Sequence, residues 1–172
     1  MNPAHSVPVL VEGDFTLSDS HAIATYLVDT RSPGHSLYPS DRKTRALIDR
    51  YLYFEAGTVF PIQRLVQRDF IYSGADIDQE RLANYREVVK IVEQMLDGHR
   101  YFVGDQLTLA DVSIYSMLGA ANVFDFEFAD YPNIKAWLEL VRSNLPFDDE
   151  INTKPVAQLK ELALSRRAAR TK

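Results

Sequence analysis

"HSVPVLVEGDFTLSDSHAIATYL", residues 5–27, reads as two short strands running into a helix. β-Branched Val7, Val9 and Val11 recur at every second position, "EGD" at 12–14 is a turn signal, and "FTL" resumes an extended run. Ser18 then precedes Asp19 and a periodic apolar set, Ala22, Ile23, Tyr26 and Leu27. That pattern marks a helix with Ser18 as its N-cap and Asp19 and Ser20 in its first turn. A strand needs partners along its edges, and a hairpin alone is marginal in water, so this opening calls for further strands.

"TRSPGHSLYPS", residues 30–40, is rich in Pro, Gly and Ser without periodicity and reads as a linker. Beyond it the pattern is helical to the end. Residues 41–68 place Leu47, Tyr51, Phe54 and Thr58 on one stripe and Ile48, Leu52 and Val59 beside it, with a kink or break expected near Phe60 because Pro61 lacks an amide. A second helix is expected over 78–96, from a capping Asp78 to a stop at Gly98, burying Leu82, Tyr85, Val89, Val92 and Leu96. "GDQLTLADVSIYSML" contains a capping box between Thr108 and Asp111, with Leu107 and Val112 at the staple positions. A further helix opens near Pro132 and buries Ile134, Trp137, Leu138 and Val141. No internal repeat or low-complexity segment interrupts the pattern.

The 172 residues are 46% hydrophobic and 25% charged, ordinary for a globular chain. Cysteine is absent, which excludes disulfides, thiolate metal sites and a nucleophilic cysteine of the protein's own. Any thiol chemistry must use a ligand's thiol. No apolar run approaches the roughly 18 residues a membrane span needs, and no signal segment follows Met1, which together favour a cytoplasmic protein without membrane association. The net charge of −5 argues against nucleic acid, although "KELALSRRAARTK" at 160–172 holds five basic groups and one acid. That tail reads as a solvated helix end in preference to a binding arm.

Helix N-termini bind anions because their first amides lack intrahelical partners. In "SDSHAI", Ser20 can add a hydroxyl donor for a carboxylate while Asp19 can accept from an ammonium group, a pairing suited to an amino-acid head; simple helix capping is the favoured alternative. Pro8 inside "SVPVLV" fits either an edge strand, which frequency favours, or a cis peptide that turns the Val7 amide and carbonyl outward toward a ligand. His5, His21, His35 and His99 show no metal-ligand spacing, and no GxSxG or glycine-rich phosphate loop occurs. Phe60, Gln63, Arg64 and Gln67 share helical spacing past Pro61 and form either partly exposed packing or a pocket wall.

Taken in order, "NPAHSVPVLVEGDFTLSDSHAIATYL", "SLYP", "YLYFEAGTVF", "YFVGDQLTLADVSI" and "YPNIKAWLELV" resemble a cytosolic glutathione transferase of the insect delta and epsilon kind, with "DSHAI" nearest epsilon. The likeness covers the chain to about residue 150. It implies an α+β fold, with an incomplete thioredoxin-like part (hairpin plus helix, residues 1–30), a linker at 31–40 and an all-helical bundle over 41–172. It also implies that Val7 and Pro8 form a cis-proline turn pairing with the cysteinyl part of glutathione, overturning the frequency argument. Asp19 and Ser20 would hold the γ-glutamyl head with His21 alongside, and His5 would approach the glycine carboxylate. Phe60, Gln63, Arg64 and Gln67 would line the pocket for a small hydrophobic electrophile, although two glutamines depart from an apolar wall.

By the same resemblance, a strand, helix and strand would precede Met1 and carry the serine that stabilises the glutathione thiolate. The 172 residues would then hold no catalytic group, and turnover by them alone should be negligible. Glutathione would serve as co-substrate, without a cofactor or metal, in conjugation to electrophiles of the detoxification type. Pairing through the hairpin and the 41–68 helix would give a homodimer. The rival expectation is a non-catalytic, transferase-like module binding a ligand or a protein.

Overall fold

A computed structural model describes residues 2–170. Strands β1 (Val9–Glu12) and β2 (Phe15–Ser18) pair antiparallel, from Val9 opposite Ser18 to Glu12 opposite Phe15. Their two-residue turn opens on Gly13 at φ 60°, a conformation that disfavours a side chain. Residues 5–8 are not strand: the Val7–Pro8 peptide is cis, His5 sits at φ 52°, and proline has no amide to give a ladder. The edge-strand alternative for Pro8 is thereby excluded.

Helix α1 (Ser20–Arg31) lies on the hairpin. The Tyr26 hydroxyl donates to Glu12 at 2.7 Å, the Phe15 and Tyr26 rings meet at 5.0 Å, and Arg31 pairs with Glu12. Its N-cap is Asp19, which corrects the expectation of Ser18. Ser18 is consumed as the last residue of β2, and Asp19 Oδ1 accepts from the amides of His21 and Ala22 at 3.0 Å each. Ile23 alone is buried among residues 2–31.

The expected 41–68 helix is α2 (Arg42–Phe54), a π-turn (Glu55–Val59) and α3 (Phe60–Ser73), capped at its start by the Asp41 carboxylate. The path does not break at Phe60. Pro61 sits in the first turn of α3, where its missing amide matters least, and the wider turn ahead of it is closed by the Phe60 amide on the Glu55 carbonyl. Ile48, Tyr51, Leu52 and Val59 are buried as the periodicity requires, but Leu47 is 47% exposed and faces outward.

α4 (Gln79–Met95) begins at Asp78, whose Oδ1 accepts from the amides of Glu80 and Arg81. α5 (Leu109–Gly119) has the expected capping box. Asp111 does more than cap: completely buried, it accepts from the Thr108 amide (3.0 Å) and hydroxyl (2.9 Å), the Phe102 amide (3.0 Å) and the Trp137 indole (3.0 Å). One carboxylate thus ties α5 to the preceding loop and to α6 (Pro132–Ser143).

The basic tail is α7 (Lys154–Arg170), and it is docked, contrary to the expected solvated end. Ala163 is fully buried, and the Arg166 guanidinium donates to the Ile71 carbonyl at 2.7 Å. α7 crosses the end of α3 at Gly74, which caps α3 at φ 65° and where an added Cβ would fall 2.3 Å from the Arg167 nitrogen. Thr171 and Lys172, the last of the expected 41–172 bundle, lie outside the described residues. The core runs from Tyr38 to Ala163 and takes no residue from the hairpin or α1.

Candidate functional site

The hairpin register decides what meets at the start of α1. With Val9 opposite Ser18, the chain entering β1 through Val7 and Pro8 lies at the same end as the chain leaving β2 into Asp19 and Ser20. Val7 is 91% exposed beside the cis peptide. Asp19, at φ 81°, spends Oδ1 on two of the helix's own amides, so capping accounts for one oxygen and leaves Oδ2 without a protein partner. Ser20 keeps both its amide and its hydroxyl uncommitted among the described residues, which makes two converging donors at the positive end of a helix. His5 is exposed, and its amide closes a turn onto the Asn2 carbonyl at 3.1 Å. A cavity of about 370 Å³ opens beside Asp19 and His21, reaching Tyr38, Asp49 and Tyr53.

His21 turns away from this end. Its Nε2 lies 2.6 Å from Oε2 of Glu55 and 2.9 Å from the Ser113 hydroxyl, which itself reaches Glu55 at 3.3 Å. The hydrogen bond to Glu55 raises the His21 pKa above its ordinary 6.5; partial burial opposes the rise, and the charges of Glu55 and Asp19 add to it. The start of α1 is thereby tied to both the π-turn and α5. Sequence reasoning missed Glu55 and Ser113. A signal existed, since Glu55 continues the spacing Ile48, Leu52, Val59 and so falls on a core-facing stripe, where an acid demands a partner.

The four residues expected to wall a pocket separate. Gln63 is fully buried, its amide nitrogen donating to the Met117 carbonyl at 2.6 Å and its oxygen accepting from the Tyr85 hydroxyl at 2.9 Å, so it serves the core. Phe60 is 39% exposed with the Arg64 guanidinium 5.8 Å from its ring. Arg64 and Gln67 do line a cavity, of about 260 Å³, between α3 and α7. Its apolar wall is Ile71 and Tyr72 from α3 with Leu159 and Leu162 from α7, the segment to which the sequence assigned no motif. Among the described residues no cluster of three His, Asp or Glu side chains could hold a metal, and no helix is long and apolar enough to cross a membrane.

Residues 56–144 match the sequence profile of the glutathione S-transferase C-terminal domain. The chain belongs to the glutathione S-transferase family. It is 35% identical over 142 residues to glutathione S-transferase D7 of Drosophila melanogaster, a match covering 81% of this chain and 62% of that transferase. The epsilon-class glutathione S-transferase of the housefly, Musca domestica, superposes with a TM-score of 0.86 at 34% identity, over 96% of this chain and 77% of the other. A glutathione transferase homolog from Drosophila mojavensis, solved with bound glutathione, gives 0.85 at 36% identity over 96% and 76%. The insect transferase resemblance and the pairing of a small thioredoxin-like part with an all-helical one are therefore shown, and the chain spans less than two thirds of its curated Drosophila relative.

Proposed function

We propose that the protein binds glutathione at the start of α1 and takes part in conjugating it to a small electrophile held between α3 and α7. The observation that carries the reading is the pair of free Ser20 donors beside Asp19 Oδ2, at the same end as the exposed Val7 backbone. Ser20 would take the γ-glutamyl carboxylate, Asp19 its ammonium group, Val7 and Pro8 the cysteinyl backbone, and His5 the glycine carboxylate. His21 becomes a positioning residue, because its ring is engaged with Glu55 and Ser113. In the reaction the thiol gives its proton to solvent, the sulfur bonds to the electrophilic carbon, and the leaving group departs with its electron pair. A free thiol has a pKa of about 8.5, so the step needs a donor aimed at sulfur. Glutathione is a co-substrate in this reading, the compartment is the cytoplasm, and detoxification is the physiological setting. Exposed Val11, Phe15, Leu47 and Tyr53 on the hairpin and α2 support pairing with a second copy.

Calorimetric titration of glutathione tests the site. Ser20→Ala should weaken binding by about ten- to a hundredfold, the loss of roughly 1.5–3 kcal/mol expected for hydrogen bonds to a charged group. An unchanged affinity would remove α1 from the site. Conjugation should be assayed for the chain alone and joined to an upstream strand, helix and strand from a relative. Glutathione binding without turnover in both would favour the non-catalytic module.

A further inference from the structure

The cavity between α3 and α7 is not the neutral apolar wall that a purely hydrophobic electrophile would need. Arg64 and Arg68 from α3 and Arg166 from α7 line it, and no Asp or Glu does. The spacing explains the convergence. Arg64, Gln67 or Arg68, and Ile71 recur on one face of α3, and Leu159, Leu162 and Arg166 on the opposed face of α7. The docking of α7 through the Arg166 bond to the Ile71 carbonyl holds those faces together.

The guanidiniums are not used up within the protein. Arg64 meets only the Phe60 ring, Arg68 commits its Nε to Asp69 at 2.8 Å, and Arg166 commits Nη1 to a carbonyl. Each guanidinium carries five N–H groups, so donors remain on all three. Gln67 supplies an independent observation: its Oε1 is buried and has no hydrogen-bond partner, an unsatisfied state that a native structure rarely leaves unused. A cationic cavity in a chain of net charge −5 also concentrates anions locally against the sign of the whole molecule.

We propose that this cavity selects amphipathic organic anions: molecules with an apolar body against Ile71, Tyr72, Leu159 and Leu162, an acidic group among Arg64, Arg68 and Arg166, and an N–H or O–H within reach of Gln67. The proposal rests on the reading of this cavity as the second-substrate site and sharpens its substrate class from hydrophobic to acidic electrophiles. The arginines have a further effect in that setting, because they offset the repulsion between a second anion and the glutathione thiolate.

The test uses anilinonaphthalene sulfonate, which carries an aromatic body, an N–H and a sulfonate, and its uncharged counterpart phenylnaphthylamine. Fluorescence titration of the full chain should show tight sulfonate binding that weakens with salt. The doubly substituted Arg64→Gln, Arg68→Gln chain should lose at least tenfold in sulfonate affinity and change less than twofold for the neutral amine, with circular dichroism unchanged. Arg86→Gln, on exposed α4 surface, should alter neither. Equal losses for both dyes, or no loss for the sulfonate, would overturn the proposal. Turnover separates the two readings. A chain that conjugates chlorodinitrobenzene but shows no arginine-dependent preference for its carboxylate analogue would keep the conjugation reading and defeat this one. Arginine-dependent sulfonate binding without any conjugation would do the reverse.

Discussion

The hairpin and α1 are thin, and the helical region is thick. Residues 2–31 bury one side chain, Ile23, whereas the helical region encloses a continuous core from Tyr38 to Ala163. The first is held to the second by polar ties more than by apolar contact: His21 to Glu55 and Ser113, and Asp29 to Arg45, which also donates to the Pro39 carbonyl at 2.6 Å. Apolar burial grows with area, while a polar tie acts at a point. The ligand-facing end of α1 is therefore oriented by directional bonds that substitution can remove singly, and the helical scaffold should survive their loss.

The largest effect should come from Asp111→Ala. Considered only as a capping residue, Asp111 would be worth about 0.5–2 kcal/mol. As a buried acceptor its loss leaves the Phe102 amide and Trp137 indole unpaired, at about 1–3 kcal/mol each, so roughly 3–5 kcal/mol is expected in denaturant unfolding. A cost under about 1 kcal/mol would mean that the helical region does not hinge on this carboxylate. Gly74→Ala should cost less, about 2–3 kcal/mol, through the left-handed backbone and the clash with α7. Limited proteolysis should then cut within α7 first, and undiminished protection there would dissociate α7 from the scaffold.

Glu55→Gln should be the mildest and bears most directly on the ties. The raised His21 pKa means that this pair stabilises the fold fully below the ordinary histidine value of 6.5, and the contribution is lost as pH rises through the higher folded value. Melting temperature should therefore fall from weakly acidic toward alkaline pH in the natural chain, and this slope should flatten in Glu55→Gln. Parallel pH profiles would show that the His21–Glu55 pair does not couple the two regions.

Local signals were legible where one residue type has one physical use. Asp41 and Asp78 as caps, Gly98 past the end of α4, and the Thr108–Asp111 box depend on neighbours a few residues away, and the structure has them all. The Ser18 cap was misread because strand pairing claimed that residue, and pairing partners lie outside a local window. Gln63 resembled a pocket residue because its partners, Met117 and Tyr85, are distant in sequence. The Arg166 side of the cavity was illegible for the same reason: low amphipathicity hid a helix whose place is set by a glycine on another element. The cis Val7–Pro8 peptide was reached by resemblance alone, since frequency pointed the other way.

The π-turn at Glu55–Val59 carries a consequence for how this chain can change length. It accommodates one residue more than a regular helix would, and excising any one of its five positions would close it to ordinary pitch. Everything downstream on α3 would then rotate by about 100°. Gln63, Val66 and Phe70 would swing out of the core together. Exposed Ala56 and Gly57 can vary in identity, but their number is fixed, so a single-residue gap here would be far more damaging than any single replacement at the same place.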